Sequence, residues 1–197
     1  MFVDIEGCTR LCEDLAPKEM NRVIETYFSQ YLDVVRETGG EVTEVLGDGL
    51  VALFEGPSLR QDTVRAVGAA LRIRESTLAL NARERRWHDP IVVNVGLNAG
   101  RASVGITRLR GKSGERWVYT ATGPVTNIAA RLCALATGGQ ILVSETVADL
   151  VAGTYQFKTL GPRTLKNVSG KVEVFEILPA EVESGPHAVT AGGRRVV

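Results

Sequence analysis

Two aspartates mark where this chain could do chemistry. Asp48 sits between Gly47 and Gly49, and Asp4 closes an apolar run near the N-terminus. The residues flanking the Gly-Asp-Gly unit, from Gly40 to Phe54, are rich in β-branched and apolar side chains. That pattern predicts two antiparallel strands with Asp48 at the hairpin tip and both glycines supplying positive φ angles. Asp-Gly is among the commonest hairpin turns, so on this stretch alone Asp48 reads first as a turn residue. Asp4 shifts the balance, because two carboxylates at the ends of neighbouring strands can share a divalent metal. After Asp4 comes Glu6-Gly7-Cys8-Thr9-Arg10, read as a loop whose backbone N–H groups and Thr9 hydroxyl suit phosphate oxygens. Asn127 and Arg131 stand one helical turn apart. An amide and a guanidinium so placed can bind a ribose and a phosphate, or can be a solvated surface pair with no task.

The elements that must position these groups follow from periodicity. Met1 to Ile5 reads as a short buried strand. Pro17 suits the first turn of a helix whose apolar positions run from Met20 to Val35, and Gly39-Gly40 ends it. Its tyrosines and phenylalanine belong to the core. Gln61 to about Glu84 is a second long helix, with Val64, Val67, Ala70, Leu71, Ile73 and Leu78 inward; Ile91 to Ala99 is a strand. The first half therefore spells strand, helix, strand, strand, helix, strand, the ferredoxin-like βαββαβ order, which makes the first strand and the central hairpin neighbours. The fold class is α+β, with C-terminal strand and helix additions to that core. Arg101 to Ile106 and Glu115 to Thr120 read as strands around a basic loop, Arg108 to Gly114. Pro124 opens a helix with Val125, Ile128, Ala129 and Leu132 inward. Strands at Gln140–Val143, Tyr155–Leu160 and Val172–Leu178 and a short helix at Glu145–Val151 complete the pattern. Residues 1–178 form one domain without internal repeats. From Pro179 to Val197 the absence of periodicity predicts a disordered tail.

Composition narrows the class. The chain has 197 residues, 44% apolar and 23% charged, which is ordinary globular usage. Its 23 basic residues balance 23 acidic ones, so no global positive field favours nucleic acid. The densest basic run, Arg83-Glu84-Arg85-Arg86, contains an acid and reads as a solvated helix end. No apolar run approaches the ~20 residues that span a bilayer. Cys8, Cys12 and Cys133 show no zinc spacing and point to a reduced, cytoplasmic setting. We expect a module of a longer protein that carries a regulatory domain.

Four stretches, taken together and in order, resemble the class III adenylyl and guanylyl cyclase catalytic domain, bacterial type. They are Phe2-Val3-Asp4-Ile5-Glu6-Gly7-Cys8-Thr9, Leu46-Gly47-Asp48-Gly49, Gly123 to Arg131, and Leu165-Lys166-Asn167-Val168-Ser169-Gly170. The resemblance implies that Asp4 and Asp48 bind two divalent cations, Mg²⁺ or Mn²⁺, with the Ile5 carbonyl as a further ligand. It implies that Gly7, Cys8, Thr9 and Arg101 hold the β- and γ-phosphates and that Lys166 contacts the terminal phosphate. Asn127 would orient the ribose, and Arg131 would stabilise the α-phosphate in the transition state. It further implies a head-to-tail homodimer: one protomer gives the aspartates, and the other gives Asn127, Arg131, Lys166 and the base pocket. The residue types suit the reaction, in which the substrate 3′-hydroxyl attacks its own α-phosphate and pyrophosphate leaves. Neither His88 nor His187 lies near these motifs, so a histidine base is not expected.

Two positions bear on GTP versus ATP, and they disagree. Glu44 stands where adenylyl cyclases carry lysine and guanylyl cyclases glutamate. A carboxylate only accepts hydrogen bonds, which suits guanine N1–H and its 2-amino group and repels adenine N1. Thr120 stands where animal adenylyl cyclases carry aspartate, and its hydroxyl can donate or accept; threonine there is the form of bacterial adenylyl cyclases. Glu44 could also be a solvent-facing strand residue beside Glu41. The reading leans to GTP, with ATP as the alternative and a catalytically degenerate nucleotide-binding or dimerisation domain as the second. A cyclic di-GMP synthase is rejected, because its hairpin would read Gly-Gly-Asp/Glu-Glu-Phe and this one reads Leu46-Gly47-Asp48-Gly49-Leu50.

Overall fold

A computed structural model of the chain describes residues 1–83, 89–111 and 113–179, without the side chains of Leu109 and Arg116. The basic run beyond Arg83, His88, His187 and all but the first residue of the predicted tail lie outside the described residues. The element order is β1 (Phe2–Ile5), α1 (Cys8–Asp14), α2 (Pro17–Glu37), β2 (Glu41–Leu46), β3 (Gly49–Leu53), α3 (Leu59–Arg83), β4 (Val93–Leu97), β5 (Ser103–Gly111), β6 (Gly114–Thr122), α4 (Pro124–Leu135), β7 (Ile141–Ser144), α5 (Glu145–Val151), β8 (Phe157–Thr164) and β9 (Lys171–Ile177). The α+β class and the βαββαβ order of the first half hold. β1 pairs antiparallel with both β3 and β4. A seven-stranded sheet runs β2-β3-β1-β4-β7-β9-β8, and β5 and β6 make a separate two-stranded sheet.

Alternation along the strands divides the core. Val3, Ile5, Val95 and Val143 face the side covered by α2, α3 and α5, where Tyr27, Tyr31 and Ile73 are fully buried. Tyr31 and Thr77 satisfy each other across α2 and α3 at 2.7 Å. Leu142 and Val174 face the opposite side, where Leu132 and Ala136 of the α4 segment close a second cluster with Leu165. Burying one hydroxyl pair among aliphatics costs little because each group has a partner.

Four local expectations need correcting. The stretch after β1 is only two residues of loop, since α1 already starts at Cys8, with Gly7 left-handed at φ 68° before it. Of the two hairpin glycines only Gly47 has positive φ. Gly49 is needed for space instead: a Cβ there would stand 3.2 Å from Asp4 Oδ1 and 3.0 Å from the Val3 carbonyl. Leu78 is 64% exposed, because Thr77 beside it takes the inward position to bond Tyr31. Arg108 to Gly111 is strand rather than loop: β5 pairs with β6 from Ser103↔Thr122 out to Gly111↔Gly114. Cross-strand pairing of Arg108 with Glu115, and stacking of its guanidinium 5.0 Å above Trp117, stabilise what composition marks as a turn.

α4 lies on the sheet with no side chain between it and β4 at Gly96. A methyl on Gly96 would overlap the Cys133 amide nitrogen and the Ala129 carbonyl. Backbone atoms cannot swing aside as a side chain can. Gly96→Ala is therefore expected to lift α4, costing about 3 kcal/mol, the upper end for overpacking, in a urea unfolding titration. An unchanged midpoint would show that α4 does not depend on this contact.

Candidate active site

The sheet has two ends, and the predicted site residues divide between them. At one end, Asp4 on β1 lies opposite Gly49 of β3 and Asn94 of β4. Asp48 occupies the β2–β3 turn beside it, fastened by the Ile5 amide, which donates to the Asp48 carbonyl at 3.1 Å. Both carboxylates are half-buried. Burial, and then the charge of Asp48, hold the Asp4 carboxyl above its ordinary pKa. Cys8, in the first turn of α1, is pushed up to about 12 by burial, by the charge of Asp48 and by its thiol neighbour Cys12. Cys133 of α4 is likewise pushed up to about 12, by burial and then by the charge of Asp4. The two buried thiols thus lie in the negative field of the pair.

Asp4 opens into a groove of about 200 Å³ on the α4 side of the sheet, bounded by Leu46 and Gly49 of the hairpin and by Ala130, Cys133 and Ala134 of α4. A larger cavity of about 300 Å³ lies at the opposite end and is lined by Met1, Val104 and Arg101. Asp4 lines the smaller one, and the carboxylate chemistry rather than volume marks it as the candidate site. Gly7, Cys8 and Thr9 stand beside the carboxylates, and the first amides of α1 have no intrahelical acceptor by position.

α4 runs along the sheet from Gly100, which touches Val125, to the Asp4 end, where Cys133 meets the groove. Asn127 is exposed and Arg131 half-buried. Among the described residues neither side chain has a hydrogen bond or ion pair, and Arg131 makes none with Asp4 or Asp48 of its own chain. Arg101 and Lys166 are exposed and equally unpaired.

The structure does not bring Arg101 to the Gly7–Thr9 turn. β4 runs antiparallel to β1, so residues beyond Leu97 move away from Asp4, and Arg101 comes to rest at the other end of the sheet. Lys166 is further still. It sits in the β8–β9 turn, also at the other end, and β8 is four strands from β1. β9, the other strand of that turn, is three strands away, so strand spacing alone puts Lys166 roughly 14–19 Å from β1. The two positions expected to read the base do meet: the Thr120 hydroxyl on β6 donates to Glu44 Oε1 on β2 at 2.5 Å. Both are half-buried. A bulge between Val42 and Glu44 turns the strand there, which no sequence signal marked.

Carboxylate and carbonyl oxygens at the Asp4 end suit a hard divalent cation, and the two buried thiols beside them stay protonated. Among the described residues no group of three His, Cys, Asp or Glu side chains could enclose a metal. Two carboxylates and a backbone carbonyl would leave the remaining coordination to water and to substrate phosphates, the habit of Mg²⁺ sites. No helix among the described residues is long and apolar enough to cross a membrane.

The sequence model of the adenylate and guanylate cyclase catalytic domain matches residues 1–179. Adenylate cyclase 1 of Rhizobium meliloti is 28% identical over 182 residues, covering 90% of this chain and 27% of that protein. This chain thus spans about a quarter of that relative's length. The crystal structure of the adenylyl cyclase CyaB from P. aeruginosa superposes with a TM-score of 0.84 at 24% identity, covering 93% of this chain and 94% of that one. The guanylyl cyclase Cya2 superposes with a TM-score of 0.79 at 26% identity, covering 93% and 92%.

The raised carboxyl of Asp4 has a consequence for stability. The native state keeps this proton to higher pH than the unfolded chain does. Its contribution is therefore full below the unfolded carboxyl pKa and is lost as pH rises through the raised native value. At pH 7 without metal, Asp4 opposes folding. Asp4→Asn is expected to raise the melting temperature of the metal-free protein, by about 2–4 °C for each kcal/mol relieved. Mn²⁺ is expected to raise the melting temperature of the wild type, and Asp4→Asn should abolish that rise. A Mn²⁺-dependent rise that survives Asp4→Asn would remove Asp4 from the metal ligands.

Proposed function

This chain belongs to the adenylate and guanylate cyclase catalytic domain family, and on that footing we propose that residues 1–178 convert a purine nucleoside triphosphate to its 3′,5′-cyclic monophosphate and pyrophosphate. Two copies arranged head to tail form the sites. The observation that carries this reading is the division of the unpaired groups. The carboxylates occupy one end of the sheet, and Lys166 lies roughly 14–19 Å away across the strands, at the other end and near the opposite edge. A single copy cannot bring them to one triphosphate; a second copy, reversed, can.

Asp4, Asp48 and the Ile5 carbonyl would hold the divalent cations, whose chemistry there is to acidify the 3′-hydroxyl and neutralise triphosphate charge. Gly7, Cys8 and Thr9 present amides to the β- and γ-phosphates. From the second copy, Asn127 orients the ribose, Arg131 offsets charge growing on the α-phosphoryl oxygens, and Lys166 takes the terminal phosphate. No covalent intermediate forms. The β5–β6 hairpin, with Ile106 65% and Trp117 61% exposed, offers apolar surface to the second copy.

The substrate is GTP in this reading. Thr120 spends its one proton on Glu44, so the pair turns acceptors outward, and acceptors match guanine N1–H and the 2-amino group. The second reading, ATP, is favoured by the relative named adenylate cyclase. Incubating the pure protein with Mn²⁺ and either triphosphate, then separating the products, should yield mainly cyclic GMP. Glu44→Lys should shift the preference towards ATP by roughly ten- to a hundredfold. Mainly cyclic AMP from the wild type would overturn the role of Glu44; no product from either would make the domain a nucleotide-binding or dimerisation module. Asp4→Ala and Arg131→Ala proteins, each inactive, should recover activity when mixed, through one intact shared site. Heterodimers that form and stay inactive would end the shared-site model.

A further inference from the structure

Glu6 and Asn94 have no part in the reaction as described, yet they tie its two halves together within one chain. Glu6 follows Ile5 at the end of β1. Its Oε2 accepts a hydrogen bond from Asn94 Nδ2 at 2.9 Å and another from the Gly138 amide at 2.5 Å. Asn94 lies opposite Asp4 on β4 and is 4% exposed. Its Oδ1 accepts from the Gly139 amide at 3.0 Å. Gly138 and Gly139 have φ 62° and 84°, the left-handed turn that follows α4. One buried amide thus donates to the β1 end and accepts from the α4–β7 turn, while Glu6 reaches the same turn directly.

We propose that Glu6 and Asn94 are positioning residues that set the C-terminal end of α4 against the strand end carrying Asp4 and Ile5. The Gly96 contact fixes how closely α4 approaches the sheet, but one backbone contact is a pivot and leaves tilt and slide open. The Glu6–Asn94 hydrogen bonds, at the end of the helix, restrain both. Resting on the cyclase reading, the inference goes one step further. Asp4 and α4 of one chain serve different sites of the dimer, so this clamp sets the spacing of the two half-sites in every copy. Displacements of an ångström at reacting groups cost about a hundredfold in rate.

The donor and acceptor roles in the clamp supply the test. One oxygen of Glu6 accepts from both Asn94 and the Gly138 amide, so Glu6→Gln can turn its amide oxygen to both donors and keep the pattern. Asn94→Asp sets two carboxylates face to face and removes the donor. Combining Glu6→Gln with Asn94→Asp supplies a donor again: the side-chain amide introduced at position 6 donates to the carboxylate introduced at position 94, which accepts from Gly139 as the asparagine oxygen did. The bond from Gly138 is then the one given up. Full-length chains of the wild type, both single variants and the double variant are compared for kcat and KM with Mn²⁺ and the preferred triphosphate. Hydrogen exchange at Gly138 and Gly139 is followed alongside. Asn94→Asp should lower kcat by about ten- to a hundredfold with KM changed less than about threefold, and should speed exchange at both glycines. The double variant should recover part of the kcat lost in Asn94→Asp and the protection at Gly139, while Gly138 stays fast. If Asn94→Asp does not fold, the double variant must still keep wild-type protection at Gly139 and lose it at Gly138. A double variant no better than Asn94→Asp in kcat and at Gly139, a double variant that protects both glycines alike, or an Asn94→Asp protein with wild-type kcat and protection, overturns the clamp. A wild type that makes no cyclic nucleotide defeats the cyclase reading instead, and exchange at the two glycines then decides for or against the clamp.

Discussion

Two carboxylates that repel each other are held side by side at one end of the sheet, and much of the local architecture answers to that. Antiparallel pairing of β1 with β3 puts Asp4 opposite Gly49 and next to Asp48. The missing side chain at Gly49 makes room for the Asp4 carboxylate, and the Ile5 amide pins the Asp48 backbone. Among the described residues no cation makes an ion pair with these carboxylates, Arg131, Arg101 and Lys166 included. The cost appears in the raised Asp4 carboxyl and in the two buried thiols, Cys8 and Cys133, driven the same way. Such an unneutralised pair is what the proposed cation site would use.

The second constraint is the seating of α4. Its backbone touches the backbone of β4 at Gly96, and the turn after it is held by Glu6 and Asn94. The helix that bears Asn127 and Arg131 is therefore set by main-chain contact and hydrogen bonds. Apolar packing by Leu132 and Ala136 against Leu142 and Val174 supplies adhesion, but aliphatic contacts are non-directional and would tolerate a shifted helix. Placing a guanidinium needs directional bonds, and those come from the polar end of α4.

Glu44 and Thr120 show how a contact changes the meaning of a residue. A lone threonine hydroxyl is indifferent between donor and acceptor partners. Once its proton is committed to Glu44, the pair behaves as one acceptor surface. The proposed GTP preference rests on taking the two positions as this unit rather than one at a time.

Local signals in the chain itself determined the elements and their order: the Gly47-Asp48 hairpin, the proline-started helices α2 and α4, the ferredoxin-like first half, and the neighbourhood of Asp4 and Asp48. These are short-range or register-driven features, encoded by periodicity and turn chemistry. The family motifs carried the site list as well, because Asp4, Asp48, Asn127, Arg131 and Lys166 stand in order along the sequence. Only the tertiary structure decided which of them share an end of the sheet. Arg101 follows its strand away from Asp4, and Lys166 is delivered to the other side of a seven-stranded sheet. Strand order depends on pairings between segments far apart in sequence, and no local pattern records it. The same holds for Gly49, Gly96, Glu6 and Asn94: what each glycine makes room for, and what each polar group bonds, exists only once distant segments meet.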